Sequence, residues 1–268
     1  EVENQRKLLD EITKFTPTEI ICNQSFLVSG VDIEDLKQRF GTSIYGLEDW
    51  YFDDDLCKRT LKEQFETDSL EGLGLKDYNC GVIAAGAILQ YFKETQKTSL
   101  SNFTRLVPYV TGKYMVLDSS TRRNLELTET MREKNKRGSL LWVLDKTKTP
   151  MGGRMLRSWV ERPLLSPVAI RRRLAAVEEL FRDNVGRAEL TEKLKTVGDI
   201  QRLTSRAVYG AANGRDMLAL GNYLSAAPEI FAQLGKYQSG MLRSIAATEP
   251  LENLCTLLRR AICDEPPF

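Results

Sequence analysis

The chain has 268 residues, 42% of them hydrophobic, with 38 Lys and Arg against 37 Asp and Glu. That length buries a sizeable core and divides most economically into two domains, while a net charge of +1 leaves any nucleic-acid or membrane contact to a local patch. The absence of histidine excludes His-based triads, His-ligated zinc and a His general base, and no apolar run reaches membrane-spanning length.

Cys22, Cys57, Cys80, Cys255 and Cys263 are scattered with no CxxC pair, and read as reduced thiols of a cytoplasmic protein. No signal peptide opens the chain. Because Glu1 runs directly into a helical pattern, the polypeptide is expected to begin upstream.

The first hundred residues read as alternating α and β. Leu8, Leu9, Ile12 and Phe15 share one face of an amphipathic helix, which breaks at Pro17 before a β-rich run from Ile20 to Val28. A second helix is expected near Asp32 to Phe40, a strand around Ser43 to Leu47, and a third helix from Leu56 to Glu66. Asp55 is the expected N-cap of that third helix. Its Cys57, Leu61 and Phe65 fall on one apolar face, opposite Lys58, Arg59, Lys62 and Glu63. Val82 to Glu94 is almost wholly apolar and rich in small residues, so it is expected to pack closely against a sheet or another helix. The stretch TQKTSLSNFT then reads as a linker.

From about Leu106 the pattern turns helical. Thr149 is the expected N-cap and Pro150 the first residue of a helix with Met151, Met155, Leu156, Trp159 and Val160 as its buried stripe, ended by Pro163. Ser166 and Pro167 open another, in which Ile170, Leu174, Val177 and Phe181 recur at helical spacing. Asp199 precedes Ile200, Leu203 and Ala207, and Asn213 with Asp216 signals the start of a helix through Leu224. A last helix, Leu251 to Ile262, places Leu251, Cys255, Leu258 and Ile262 on one stripe before DEPPF stops it. Short connections between such helices imply a packed helical array.

Three stretches invite a chemical reading. TPMGGRML resembles a phosphate cradle, but a Walker loop needs GxxxxGK[ST] and a dinucleotide fingerprint GxGxxG, and neither spacing is present. The simpler expectation is a helix start whose glycines admit another backbone. The acidic run Glu48, Asp49, Asp53, Asp54 and Asp55 suggests a metal-dependent nuclease or nucleotide-binding enzyme using loop 48–55. Two-metal sites draw carboxylates from separate elements, however, whereas these crowd one loop. Arg171, Arg172 and Arg173 point about 100° apart on a helix and cannot form one phosphate-tracking stripe, so solvated faces and local ion pairs are expected.

MVLDSSTRRNLELTE, SLLWVLDKTKTPMGGRMLRSWVERPLLSPVAIRRRLAAVEEL and VGDIQRLTSRAV occur in that order and, taken together, resemble the MutS family of DNA mismatch repair proteins. LLDEITKFTPTEIICNQSF and LEGLGLKDYNCGVIAAGAILQYFKETQKTSL resemble the connector domain of that family. The resemblance implies an α/β, RNase H-like connector over residues 1–98 and the N-terminal part of an all-α core and lever domain over 105–268. It implies a non-catalytic fragment that couples DNA-binding and ATPase parts, without catalytic, cofactor or metal residues of its own.

ATP and Mg, mismatched DNA and homodimerisation through the ATPase domain would belong to the full-length parent. The resemblance further implies a docking surface for MutL on the third helix, at Lys58, Arg59, Thr60, Lys62 and Glu63, with Arg59 and Thr60 on its outer face. Related proteins often carry glutamines there.

Overall fold

A computed structural model describes residues 1–15, 17–76, 78–96, 100–108 and 114–266. The chain divides into two compact units, one of Glu1–Thr111 and Leu117–Ser119, the other of Gly112–Val116 and Ser120–Phe268.

The first unit begins with α1 (Gln5–Phe15) and β1 (Glu19–Cys22), followed by α2 (Gln24–Leu27), α3 (Ile33–Phe40) and β2 (Ser43–Gly46). The β-rich run expected through Val28 stops six residues early. Asn23 turns the chain by accepting a hydrogen bond from the Phe26 amide at 3.0 Å, and the apolar residues beyond it enter α2. Asp32 caps α3 through the Asp35 amide, and Gly41 ends it in the left-handed conformation at φ 64°. β1 and β2 pair in parallel, Glu19 opposite Ser43 and Cys22 opposite Gly46, and form a two-stranded sheet among the described residues.

A short 3₁₀ turn, Asp49–Phe52, leads into α4 (Asp54–Gln64), and a second, Leu70–Leu73, precedes α5 (Cys80–Gln96). Asp53, not Asp55, caps α4, its carboxylate accepting from the Leu56 amide at 2.8 Å. This leaves Asp54 and Asp55 in the first turn, where their charges face the positive end of the helix dipole.

The core of this unit lies between α4 and α5. Leu61, Leu75, Val82, Leu89 and Leu100 are buried together, with Phe65, Phe92, Phe103 and Leu106 packed around them. The stretch expected as a linker therefore contributes apolar side chains to the core. Gln64 Nε2 fastens it by donating to the Leu100 and Phe103 carbonyls at 2.8 and 3.2 Å. Residues 97–99 of that stretch lie outside the described residues.

The second unit is helical: α6 (Ser119–Asn124), α7 (Leu140–Leu144), α8 (Pro150–Glu161), α9 (Pro167–Arg182), α10 (Asn184–Lys195), α11 (Ile200–Val208), α12 (Gly214–Leu224), α13 (Ala227–Leu234), α14 (Gly240–Ala246) and α15 (Glu252–Ala261). Four of these starts are those the sequence marks. Thr149, Ser166 and Asp199 cap α8, α9 and α11, and Asn213 with Asp216 closes a reciprocal capping box on α12. Its core gathers Ala176, Leu190, Ile230, Leu234 and Leu242 from α9, α10, α13 and α14. On α15, Cys255 and Leu258 are buried as expected. Leu251 leaves the stripe, because it sits before the helix at φ 56° with its side chain exposed. Pro267 and Phe268, at the end of the expected DEPPF stop, lie outside the described residues.

Candidate functional site

Two surfaces carry the residues singled out by chemistry: α4 with its acidic approach, and the start of α8. On α4, Cys57, Thr60 and Leu61 are buried, and the opposite side turns outward. Arg59, Lys62 and Glu63 are exposed and make no ion pair among the described residues. Lys58 is partly buried and bound to Asp54 at 2.5 Å, so its charge is already paired within the helix.

Thr60 departs from the expected outer face: it is 2% exposed. Its hydroxyl donates to the Leu56 carbonyl at 2.9 Å and accepts from Gln90 Nε2 at 2.6 Å, tying α4 to α5. Thr60 is a packing residue, and the outward set reduces to Arg59, Lys62 and Glu63, flanked by Lys58.

The rigidity of this face comes from the helix beneath. A Cβ placed on Gly86 would lie 2.4 Å from the Cys57 Cβ and 2.6 Å from its Cα, so α5 approaches α4 to a distance only glycine permits. Cys57 donates its thiol to the Tyr51 carbonyl at 3.2 Å, and burial, with Asp53 and Asp54 nearby, pushes its pKa up. It is an inert core thiol.

Three carboxylates of the acidic approach are engaged in local structure. Glu48 accepts from Trp50 Nε1 at 2.9 Å, Asp53 caps α4 and Asp54 pairs with Lys58. Tyr51, whose ring stacks on Trp50, donates its hydroxyl to Glu94, which pushes the phenol pKa up to about 12. Among the described residues no group of His, Cys, Asp and Glu could hold a metal ion. The geometry gives the nuclease reading no support.

At the start of α8, Thr149 Oγ1 accepts from the Gly152 amide at 3.0 Å, so the place a phosphate oxygen would take is filled by the cap. The glycines make room for side chains rather than for another backbone: a Cβ on Gly152 would meet Thr149 Oγ1 at 3.0 Å and the Thr147 Cβ at 3.5 Å. Arg154 is likewise engaged. Its Nη1 and Nη2 each lie 2.7 Å from an oxygen of Asp199, and Nη2 donates to Gln201 Oε1 at 2.9 Å. This forked bridge joins the start of α8 to the start of α11.

The apolar stripe expected to be buried on α8 is only half-buried: Met151, Leu156, Trp159 and Val160 are partly covered and Met155 is exposed. Polar links add to its hold. Besides the Arg154 bridge, Arg122 Nη2 donates to the Glu161 carbonyl at 2.6 Å, the Met115 amide donates to the Pro163 carbonyl at 2.8 Å, and Arg173 lies 3.8 Å above the Trp159 ring.

The Arg154 hydrogen bonds hold the Asp199 pKa down at about 2, from 3.8. A carboxylate depressed in this way contributes stability that is complete above about pH 4 and is lost as pH falls through about 2. Substitution Arg154→Met is therefore expected to speed amide exchange at the starts of α8 and α11 at pH 7, and the difference from the parent is expected to shrink as pH is lowered from 4 to 2. The bridge is partly exposed and screened, so the effect is modest. A difference independent of pH would assign the loss to packing of the Arg154 stem.

In both units, helix caps and internal ion pairs occupy the stretches that invite a chemical reading. Residues 1–104 match the family MutS domain II and residues 120–268 match MutS domain III. The chain is 53% identical over 269 residues to the DNA mismatch repair protein MutS of Lachnoclostridium phytofermentans, covering 100% of this chain and 29% of that protein. It is 44% identical to the DNA mismatch repair protein MutS of Ruminiclostridium cellulolyticum, covering 97% of this chain and 30% of the relative. For that of Alkaliphilus oremlandii the identity is 40%, covering 98% and 30%. The chain belongs to the MutS family, in which it comprises domains II and III, and it spans about 30% of the length of these curated relatives. No helix among the described residues is long and apolar enough to cross a membrane.

Proposed function

We propose that this chain is the connector and first core segment of a MutS-type mismatch-recognition ATPase, working in the cytoplasm as a non-catalytic coupler. In this reading residues 1–98 are an RNase H-like connector and 105–268 the N-terminal part of the core and lever domain. The parallel pairing of β1 and β2 across intervening helices supports the first assignment, and the continuous helical array supports the second. ATP and Mg act at an ATPase domain elsewhere in the parent, which also joins two copies, and mismatched DNA is held by other parts. The chain transmits the nucleotide state between them.

The connector also presents the MutL-docking surface. The observation that carries this reading is the outward face of α4: Arg59, Lys62 and Glu63 stand exposed and unpaired among the described residues on a helix whose inner side is locked by the Gly86–Cys57 contact. A rigid helix bearing unspent charge meets a partner without the cost of ordering its backbone.

Capture of MutL by the full-length parent is the test. Arg59→Glu with Lys62→Glu is expected to weaken capture at least tenfold with mismatch binding retained. The buried Thr60→Ala is expected to lower stability and leave capture intact. Capture unchanged by the double reversal would remove α4 from the docking surface.

A further inference from the structure

Asn213 is followed by Gly214, and the chain has no other Asn-Gly pair. Packing holds the glycine in place: a Cβ on Gly214 would lie 2.9 Å from the Cβ of the buried Pro266, so α12 begins with the residue that leaves Pro266 its room. Asn213 itself is exposed and extended, at φ −103° and ψ 177°. Its Oδ1 accepts from the Asp216 amide at 2.9 Å, which draws electrons away from Cγ and leaves Nδ2 without a protein partner among the described residues. The Gly214 amide, first in the helix, has no intrahelical acceptor to hold its proton. A polarised amide carbon, an unengaged leaving nitrogen and an unhindered backbone nitrogen thus stand in adjacent residues.

We propose that the Asn213–Gly214 pair is a site of spontaneous deamidation, and that its isoaspartate product opens the entry to α12. The Gly214 nitrogen gives its proton to solvent base and attacks the Asn213 Cγ. A C–N bond forms, the Cγ–Nδ2 bond breaks, and ammonia leaves with a proton taken from water. The cyclic imide then adds water. Opening at the Cγ–N bond gives aspartate, and opening at the backbone C–N bond gives isoaspartate; no oxidant or reductant takes part. Aspartate keeps an acceptor for the Asp216 amide and adds charge at the positive end of the helix. Isoaspartate routes the chain through Cβ and Cγ, which lengthens the backbone by a methylene and moves the acceptor away. The reciprocal bond from the Asn213 amide to Asp216, at 3.1 Å, is lost with it. Arg206 of α11 donates to the same Asp216 carboxylate at 3.0 Å, so the end of α11 loosens as well. This site is independent of the docking role assigned to α4.

Keeping the full-length protein warm in mildly alkaline buffer, with tryptic peptides mapped at mildly acidic pH, tests the proposal. The peptide Ala207–Arg215 is expected to convert about tenfold faster than any other asparagine-bearing peptide, since only there is the attacking nitrogen that of a glycine. Isoaspartate is expected in excess of aspartate, and to accept a methyl group from isoaspartyl methyltransferase. Conversion no faster than at the other asparagines would overturn the proposal, and conversion of the free synthetic peptide in the same buffer would then assign the protection to the cap. Aged protein is also expected to show a second, faster-exchanging population of amides at the start of α12, in proportion to its isoaspartate content, and Asn213→Asp to show none. A single population in the aged protein, or equal quickening in Asn213→Asp, would overturn the opening of α12.

Discussion

Gly86→Ala is expected to open the α4–α5 contact and to speed amide exchange in both helices about thirtyfold. On helix propensity alone the substitution would stabilise α5, by about 1 kcal/mol in a helix interior. Sterics reverse the sign. The new Cβ would lie 2.4 Å from the Cys57 Cβ and 2.9 Å from its carbonyl oxygen, against about 3.5–4.0 Å for an ordinary carbon contact. The obstructing atoms are backbone and Cβ, so no rotamer change relieves them and the helices must part. Overpacking of this kind costs about 3 kcal/mol, leaving a net loss of about 2 kcal/mol after the propensity gain. At 1.4 kcal/mol per tenfold, that is about thirtyfold in exchange. Hydrogen exchange read by mass spectrometry checks it: protection in α4 that is unchanged or increased would refute the close approach.

The second large effect lies in the helical unit, at Glu179. Its two carboxylate oxygens accept from the Gln238 and Ser239 amides at 3.0 and 2.9 Å, and Ser239 in turn caps α14 by accepting from the Leu242 amide. One side chain of α9 thus satisfies the donors at the entry to α14, sixty residues away in the chain. Glu179→Ala leaves the amide of the buried Ser239 without its partner, at a cost of about 2 kcal/mol for charge-assisted bonds of this kind. Exchange at the start of α14 is expected to quicken about thirtyfold, with α15 little changed. Glu179→Gln is expected to recover about half the loss, because one of its two terminal atoms becomes a donor facing a donor. Full recovery would show that shape rather than charge holds the junction.

Much of the architecture was legible before the structure. The caps Thr149, Ser166, Asp199 and Asn213 each bond to the amide three residues ahead, an interaction contained within a few residues of sequence. The DDD run shows the resolution of such local reading. It marks the start of α4 without selecting Asp53 over Asp55, since all three aspartates can cap and only the positions of Cys57 and Leu61 in the core set the register. The β-rich run misled for a related reason: FLV after Asn23 suits a strand by composition, and the Asn23 cap turns it into α2.

The candidate site was less legible. Periodicity separated Cys57 and Leu61 from Arg59 and Lys62, but it could not show that Thr60 meets Gln90 of α5. It also picked out the apolar ridge Ile170, Leu174, Val177 and Phe181 of α9 by its spacing, but it could not show that this ridge faces outward while Ala176 faces the core. The polar retention of α8 was not legible either, because Arg154 and Asp199 are 45 residues apart.

The amino-acid sequence alone determined the family, the helical character of the second unit, and the capped starts of α8, α9, α11 and α12, since these depend on residue order and on interactions spanning a turn or less. Tertiary structure alone decided which faces are covered and which charges are spent. Burial and ion pairing depend on what distant elements bring to the same place, and a helix has the same apolar period whether its neighbour is present or belongs to another part of the polypeptide.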